Sequence, residues 1–319
     1  MSRFPNLLRD ILSGLIRHWE IWEDSRHLAF LHPFQASPGE TVLVPKALPQ
    51  GCVFNLPEKE YVDLMLATRT ISLKLEKSLL VMRCAIIAEV LNDQYVHTRV
   101  LPMHGLAQQW TSIISEDLEY SDKYKGYTST KDGPKALDDT LDAVKSSILQ
   151  CQPPFVEDYT FHGNPKDDNL FSRIIRGEVQ QWRIWQSEDH VAVLTPFPNT
   201  PGFTVLLPRK RLSSNIPAIE EQDYVSLMLA ARKVGQLLQK AFNTPNVAMV
   251  CEGMAVDYAH VKLIPLHASG PEEVARLHVE PEHVETYRGY ITTKEGPQAK
   301  EEDLKSLQKL ILKDEEDEK

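Results

Sequence analysis

Asp257-Tyr258-Ala259-His260-Val261-Lys262-Leu263-Ile264-Pro265 and Gln94-Tyr95-Val96-His97-Thr98-Arg99-Val100-Leu101-Pro102 are two versions of one pattern, 163 positions apart. Successive side chains of a strand face opposite ways. The alternation therefore predicts strands over 258–264 and 95–101. Tyr258, His260 and Lys262 share one face, as do Tyr95, His97 and Arg99, while Ala259, Val261 and Leu263 face a core. A row of hydroxyl, imidazole and cation suits phosphoryl chemistry. A neutral imidazole can attack phosphorus, the cation can offset charge on the phosphoryl oxygens, and the phenol can donate a hydrogen bond. Such a row calls for no metal and no cofactor.

The same offset runs along most of the chain. It pairs Trp19-Glu20-Ile21-Trp22 with Trp182-Arg183-Ile184-Trp185, His27 with His190, Pro38-Gly39 with Pro201-Gly202, and Tyr61 with Tyr224. It still holds at Tyr124-Lys125-Gly126-Tyr127 and Tyr287-Arg288-Gly289-Tyr290. Two long copies in one register mean a duplicated domain, since a solenoid needs more and shorter units. The reading is a first domain over 1–150, a linker over 151–168 broken by Pro153-Pro154 and Gly163-Asn164-Pro165, and a second domain with an acidic tail over 169–319.

Each copy reads alike. A short front helix (5–15; 170–176) leads to strands at 19–22 and 182–185, then at 27–31 and 190–194. Past the Pro-Gly turn, Thr41-Val42-Leu43-Val44 and Thr204-Val205-Leu206-Leu207 are rich in β-branched residues and predict strands. Helices over 58–79 and 221–242 follow, with Tyr224, Met228, Ala231, Val234, Leu238 and Phe242 at helical spacing. Two further strands (85–90 and 95–101; 248–251 and 258–264) complete an α+β unit, an antiparallel sheet of about five strands with one long helix.

Composition narrows the function classes. The 319 residues hold 42% hydrophobic and 25% charged residues, ordinary for a globular chain of two domains. No apolar run approaches the roughly 20 residues that span a bilayer, and no secretory signal opens the chain, so the expected address is cytoplasmic or nuclear. A net charge of −10 disfavours nucleic-acid binding, which needs clustered cations, but leaves room for a small anionic ligand in a basic pocket. Cys52, Cys84, Cys151 and Cys251 lack metal or disulfide spacing and are expected to be reduced and buried. The tail 314–318 reads as a solvated acidic extension.

The chain resembles the histidine-triad (HIT) superfamily over roughly 10–105 and 170–268. Pro201-Gly202-Phe203-Thr204-Val205-Leu206-Leu207-Pro208-Arg209 and Pro38-Gly39 through Pro45-Lys46 are similar to that family's Pro-Gly turn and strand; 258–265 is similar to its His-x-His-x-His strand. The resemblance implies a nucleotidyl-histidine enzyme acting on dinucleoside polyphosphates, nucleoside phosphoramidates or nucleotide sugars, with His260, and also His97, at the nucleophile's place. The pattern departs from the family where Tyr258 and Tyr95 replace the first histidine, Lys262 and Arg99 the third, and Glu40 and Phe203 the histidine after Pro-Gly. Glu252-Gly253-Met254 keeps part of the phosphate loop where the first copy has Glu89-Val90-Leu91, which favours the second site. Pairing of family members as dimers implies a monomer whose two halves pack about a pseudo-twofold axis.

Blander readings stand beside these. His97 and His260 can be satisfied sheet histidines, Lys262 and Arg99 solvated charges, and the whole a silent nucleotide-binding or scaffold protein. His104 and His267 sit poorly for zinc, the Tyr-x-Gly-Tyr turns read as packing or as a ring stacked on a base, and Trp19, Trp22, Trp182 and Trp185 read as core or inter-copy contacts.

Overall fold

A computed structural model describes residues 7–89, 95–267 and 277–316. In the first half, α1 (Leu7–Leu12), β1 (Glu20–Glu23), β2 (His27–Leu31), β3 (Thr41–Pro45), α2 (Glu58–Ser78), β4 (Cys84–Ala88) and β5 (Thr98–Pro102) precede α3 (Asp138–Leu149). The second repeats the order: α4 (Leu170–Ile175), β6 (Trp182–Gln186), β7 (His190–Leu194), β8 (Thr204–Pro208), α5 (Glu221–Phe242), β9 (Val247–Cys251), β10 (Val261–Pro265) and α6 (Glu301–Glu316). The fold is α+β, with five strands and a long helix in each copy.

The ten strands form one antiparallel sheet in the order β1-β2-β3-β5-β4-β9-β10-β8-β7-β6. The order is a mirror about β4 and β9, which join the halves through Ile86↔Cys251, Ile87↔Val250 and Ala88↔Met249. Helices α2 and α5 pack together over one face of this sheet and share a single apolar core with both halves. Their contact is sealed reciprocally. The buried Tyr61 hydroxyl donates to the Met228 carbonyl at 2.9 Å, and Tyr224 donates to the Met65 carbonyl at 2.8 Å.

Three sequence expectations are corrected. The front helix stops at Leu12 instead of residue 15, because the chain turns through Gly14 at φ 76°, which glycine adopts without strain. Strands β5 and β10 begin at Thr98 and Val261, so Tyr95, His97, Tyr258 and His260 lie on the approach to a strand. There the backbone leaves its partner strand for the loop beyond it: Val96 N–H donates to the Pro49 carbonyl and Ala259 N–H to that of Leu212. The alternation of faces survives, with Ala259, Val261 and Leu263 in the main core and Tyr258 in a separate cluster on the opposite face with Phe171 and Val191. Cysteine burial is the third, since Cys151 is only half-buried, although all four thiols are free.

The C-terminal segment of each copy belongs in space to the other. α3 packs on β6 and α5, while α6 packs on α2 and β1. The straps leading to them bond across the molecule. Gly133 and Ala136 N–H groups donate to Phe197 and Pro196 carbonyls, and Gly296 and Ala299 do the same to Phe34 and Pro33. The segment between the repeats is also pinned, because the buried guanidinium of Arg209 donates to the Asp158 and Thr160 carbonyls at 2.7 and 2.9 Å.

A Cβ at Gly133 would stand 1.9 Å from the Pro198 carbonyl oxygen, and one at Gly296 1.8 Å from that of Gln35. Gly133→Ala and Gly296→Ala are each expected to cost about 1–3 kcal/mol, nearly additively, because the straps are overpacked at separate places. Urea denaturation of the single and double variants measures this; unchanged midpoints would contradict the crossed docking.

Candidate functional site

The two central histidines are held alike. His260 Nδ1 lies 2.7 Å from the Tyr258 carbonyl oxygen and His97 Nδ1 3.0 Å from that of Tyr95. A carbonyl only accepts, so in each neutral ring Nδ1 carries the proton and Nε2 keeps the lone pair. Burial, reinforced by the neighbouring Lys262 or Arg99 charge, pushes both imidazoles down to about 4. Both are therefore neutral at pH 7, with a directed nucleophilic nitrogen. Their cover differs. The edge of Phe171, on α4, meets His260 at a ring separation of 5.2 Å, leaving the histidine 2% exposed. Leu8 stands at the matching place in the first copy, and His97 is half-buried.

Neither cation is a solvated surface charge. Lys262 Nζ sits 2.7 Å from Glu252 Oε2, and the Tyr287 hydroxyl donates to the other oxygen of that carboxylate. Arg99 pairs at 2.5 Å with the fully buried Glu40, which also accepts the Ala36 N–H at 2.7 Å. Arg99 reaches across to the Thr293 carbonyl as well, at 2.8 Å. The residue after Pro-Gly decides the pairing. Glu40 takes the cation in the first copy, and Glu89 is left to the Tyr124 and Thr128 hydroxyls, with burial raising its carboxyl above the usual range. Phe203 offers nothing in the second copy, so Lys262 turns to Glu252.

Tyr258 is placed otherwise than the row of side chains suggested. Its hydroxyl is buried and donates to the Pro208 carbonyl at 2.6 Å, tying the approach segment to the end of β8. Tyr95 is half-buried in a bridge to Gln50. His104 and His267 sit with Nε2 2.8 Å from the Pro38 and Pro201 carbonyls, and so pin the Pro-Gly turns. Trp182 donates to Asp142 on α3, an inter-copy contact. The Tyr-x-Gly-Tyr turns meet at the seam between the halves: Lys294 lies 4.5 Å from the Tyr127 ring and Lys131 4.3 Å from that of Tyr290, around a cavity of about 220 Å³. The first copy's phosphate-loop counterpart, Val90-Leu91, lies outside the described residues.

One group of residues escaped the sequence reading. Residues of the first copy line the 253–257 loop of the second: Trp110 Nε1 and Arg83 Nη1 both donate to the Gly253 carbonyl, and Ser112 donates to that of Ala255. The available signal was a break in the repeat, for Arg83 is matched by Asn246.

With this geometry in view, comparisons with known proteins are consistent. Residues 176–279 match the HIT domain family. An uncharacterized HIT-like protein of Saccharolobus solfataricus is 24% identical over 127 residues, 38% of this chain and 91% of that protein. Another, from Chlamydia muridarum, is 26% identical over 101 residues, 30% of this chain and 79% of that protein. A GalT-like protein from Arabidopsis thaliana covers 91% of this chain and 87% of its own, at 9% identity and a TM-score of 0.47. The second half of the chain is thus similar to the HIT domain family. Among the described residues no helix is long and apolar enough to cross a membrane, and no group of three or more His, Cys, Asp or Glu is placed to hold a metal ion.

His32, His97, His190 and His260 are each pushed by burial from 6.5 to about 4. Between those values the unfolded chain binds protons that the folded one refuses, so folding stability is full above pH 6.5 and falls as the pH drops toward 4. Imidazole NMR resonances of the folded protein are expected to show no titration midpoint near 6.5 for His260, and urea midpoints to decline over that window. A His260 midpoint at 6.5 would contradict the buried neutral ring.

Proposed function

We propose that this chain is a nucleotide phosphohydrolase or nucleotidyltransferase working through a nucleotidyl-histidine, with His260 as nucleophile and His97 as the second candidate. The observation that carries the reading is the neutral imidazole whose Nδ1 proton is held by a main-chain carbonyl, which commits Nε2 to attack. The Nε2 lone pair forms a bond to the α-phosphorus while the bond to the leaving group breaks, and that group departs with the electron pair, as a phosphate anion or, from a phosphoramidate, as an amine that takes a proton from solvent. The resulting imidazolium keeps its Nδ1 proton on the Tyr258 carbonyl. Water or an acceptor hydroxyl then attacks phosphorus and loses its proton to solvent, the N–P bond breaks with its electron pair returning to Nε2, and the neutral ring is restored. Lys262 would offset charge on the phosphoryl oxygens once freed from Glu252, and Arg99 would do so in the first copy. Tyr258 and Tyr95 would act by fixing the carbonyls that orient the histidines. Dinucleoside polyphosphates and nucleoside phosphoramidates fit this chemistry. The crossed tails support a monomer holding both halves of what relatives would build as a dimer.

A second reading, a silent nucleotide-binding or scaffold protein, is favoured by the engaged cations and by the cover of Phe171 over His260. Incubation with α-phosphate-labelled dinucleoside polyphosphates and phosphoramidates separates the two. The enzyme reading expects an acid-labile protein adduct in the native chain, with adduct and turnover reduced on the order of 10⁴-fold or more in His260→Ala. Loss of the adduct in His97→Ala alone would move the reaction to the first copy. Nucleotide binding without adduct or turnover would establish the silent protein.

A further inference from the structure

Arg83 lies in the first copy, just before β4, yet its side chain is buried in the second. Nη1 donates to the Gly253 carbonyl at 2.9 Å and to the Ser214 hydroxyl at 3.2 Å, while Nε is buried without a partner. Arg83 as a whole is 8% exposed. Asp257 and Glu76 act on it from a distance, but both are engaged elsewhere: Asp257 with Ser214 and Arg211, Glu76 with Cys84 N–H and Asn215. Among the described residues no carboxylate forms an ion pair with it. A guanidinium taken out of water without a counter-ion is costly, and such a group persists where an anion completes it.

Its position says which anion. Gly253 follows Glu252, the ion partner of Lys262, and the Arg83 charge is among those that depress the proton affinity of His260. The cluster is also peculiar to one copy. Asn246, Gly51, Val90 and Gln94 occupy the places matching Arg83, Ser214, Gly253 and Asp257. The guanidinium is planar, so it can hold two phosphate oxygens at once.

We propose that Arg83, donated by the first copy, is a phosphate-binding residue of the second copy's site, so that the His260 site is assembled from both halves and accepts a phosphate or diphosphate group. The inference rests on the His260 reading for the location of the site, but not on its chemistry.

The test titrates inorganic phosphate and pyrophosphate by calorimetry into the full chain and into Arg83→Lys, Arg83→Gln and Ser214→Ala, with thermal unfolding followed with and without pyrophosphate. Expected are binding by the native chain, a loss of at least about tenfold in Arg83→Gln, partial retention in Arg83→Lys, and a small loss in Ser214→Ala. Pyrophosphate should raise the Tm of the native chain and not that of Arg83→Gln. An arginine that only supports the fold would lower the Tm and leave anion affinity intact, which overturns the proposal. No pyrophosphate binding by the native chain overturns it too. If Arg83→Gln does not fold, Arg83→Lys and Ser214→Ala decide by the same comparison. Arg83-dependent binding with no adduct on either His260 or His97 would leave this inference standing and sink the nucleotidyl-histidine chemistry.

Discussion

The pairing of β4 with β9 is the constraint on which the rest of the structure depends. It turns two five-stranded sheets into one and places α2 beside α5, so that Tyr61 and Tyr224 can exchange hydrogen bonds across the interface. It also brings the turn before β4, with Arg83, onto the loop after β9. The halves share one core, and fusing them in a chain makes their association intramolecular. The crossed straps add to this, since α3 and α6 each complete the opposite half. The repeat in the sequence is therefore not a division of the molecule in space.

Within this symmetric frame the sites have diverged through their carboxylates. One change after the Pro-Gly turn, Glu40 in one copy and Phe203 in the other, reroutes the cation beside the histidine. In the first copy an ion pair with the fully buried Glu40 locks Arg99, and a half-buried histidine stands next to it. In the second, Lys262 is held by a carboxylate that also accepts from Tyr287, and the histidine lies under Phe171. A buried cation costs little only while paired, so each copy must supply a partner, and the identity of that partner sets how readily the cation can turn to a ligand.

The sequence alone determined the duplication, the α+β class, the long helices and the pairing of His97 with His260, because these rest on local periodicity and on a register that any copy must preserve. Helix 221–242 was legible to the residue, since its apolar spacing runs unbroken into an αL cap at Asn243. The strand starts were not. Where the chain leaves β3 or β8 for the following loop is fixed by hydrogen bonds at Pro49 and Leu212, and those residues carry no signal that they are partners. Only the tertiary structure decided that Tyr258 spends its hydroxyl on Pro208, that Lys262 and Arg99 are paired, that the C-terminal helices cross, and that Arg83 packs into the opposite copy. The physical reason is common to all four. Each depends on which polar groups are left without water when distant segments close together, and burial is a property of the packed molecule, not of any stretch of its chain.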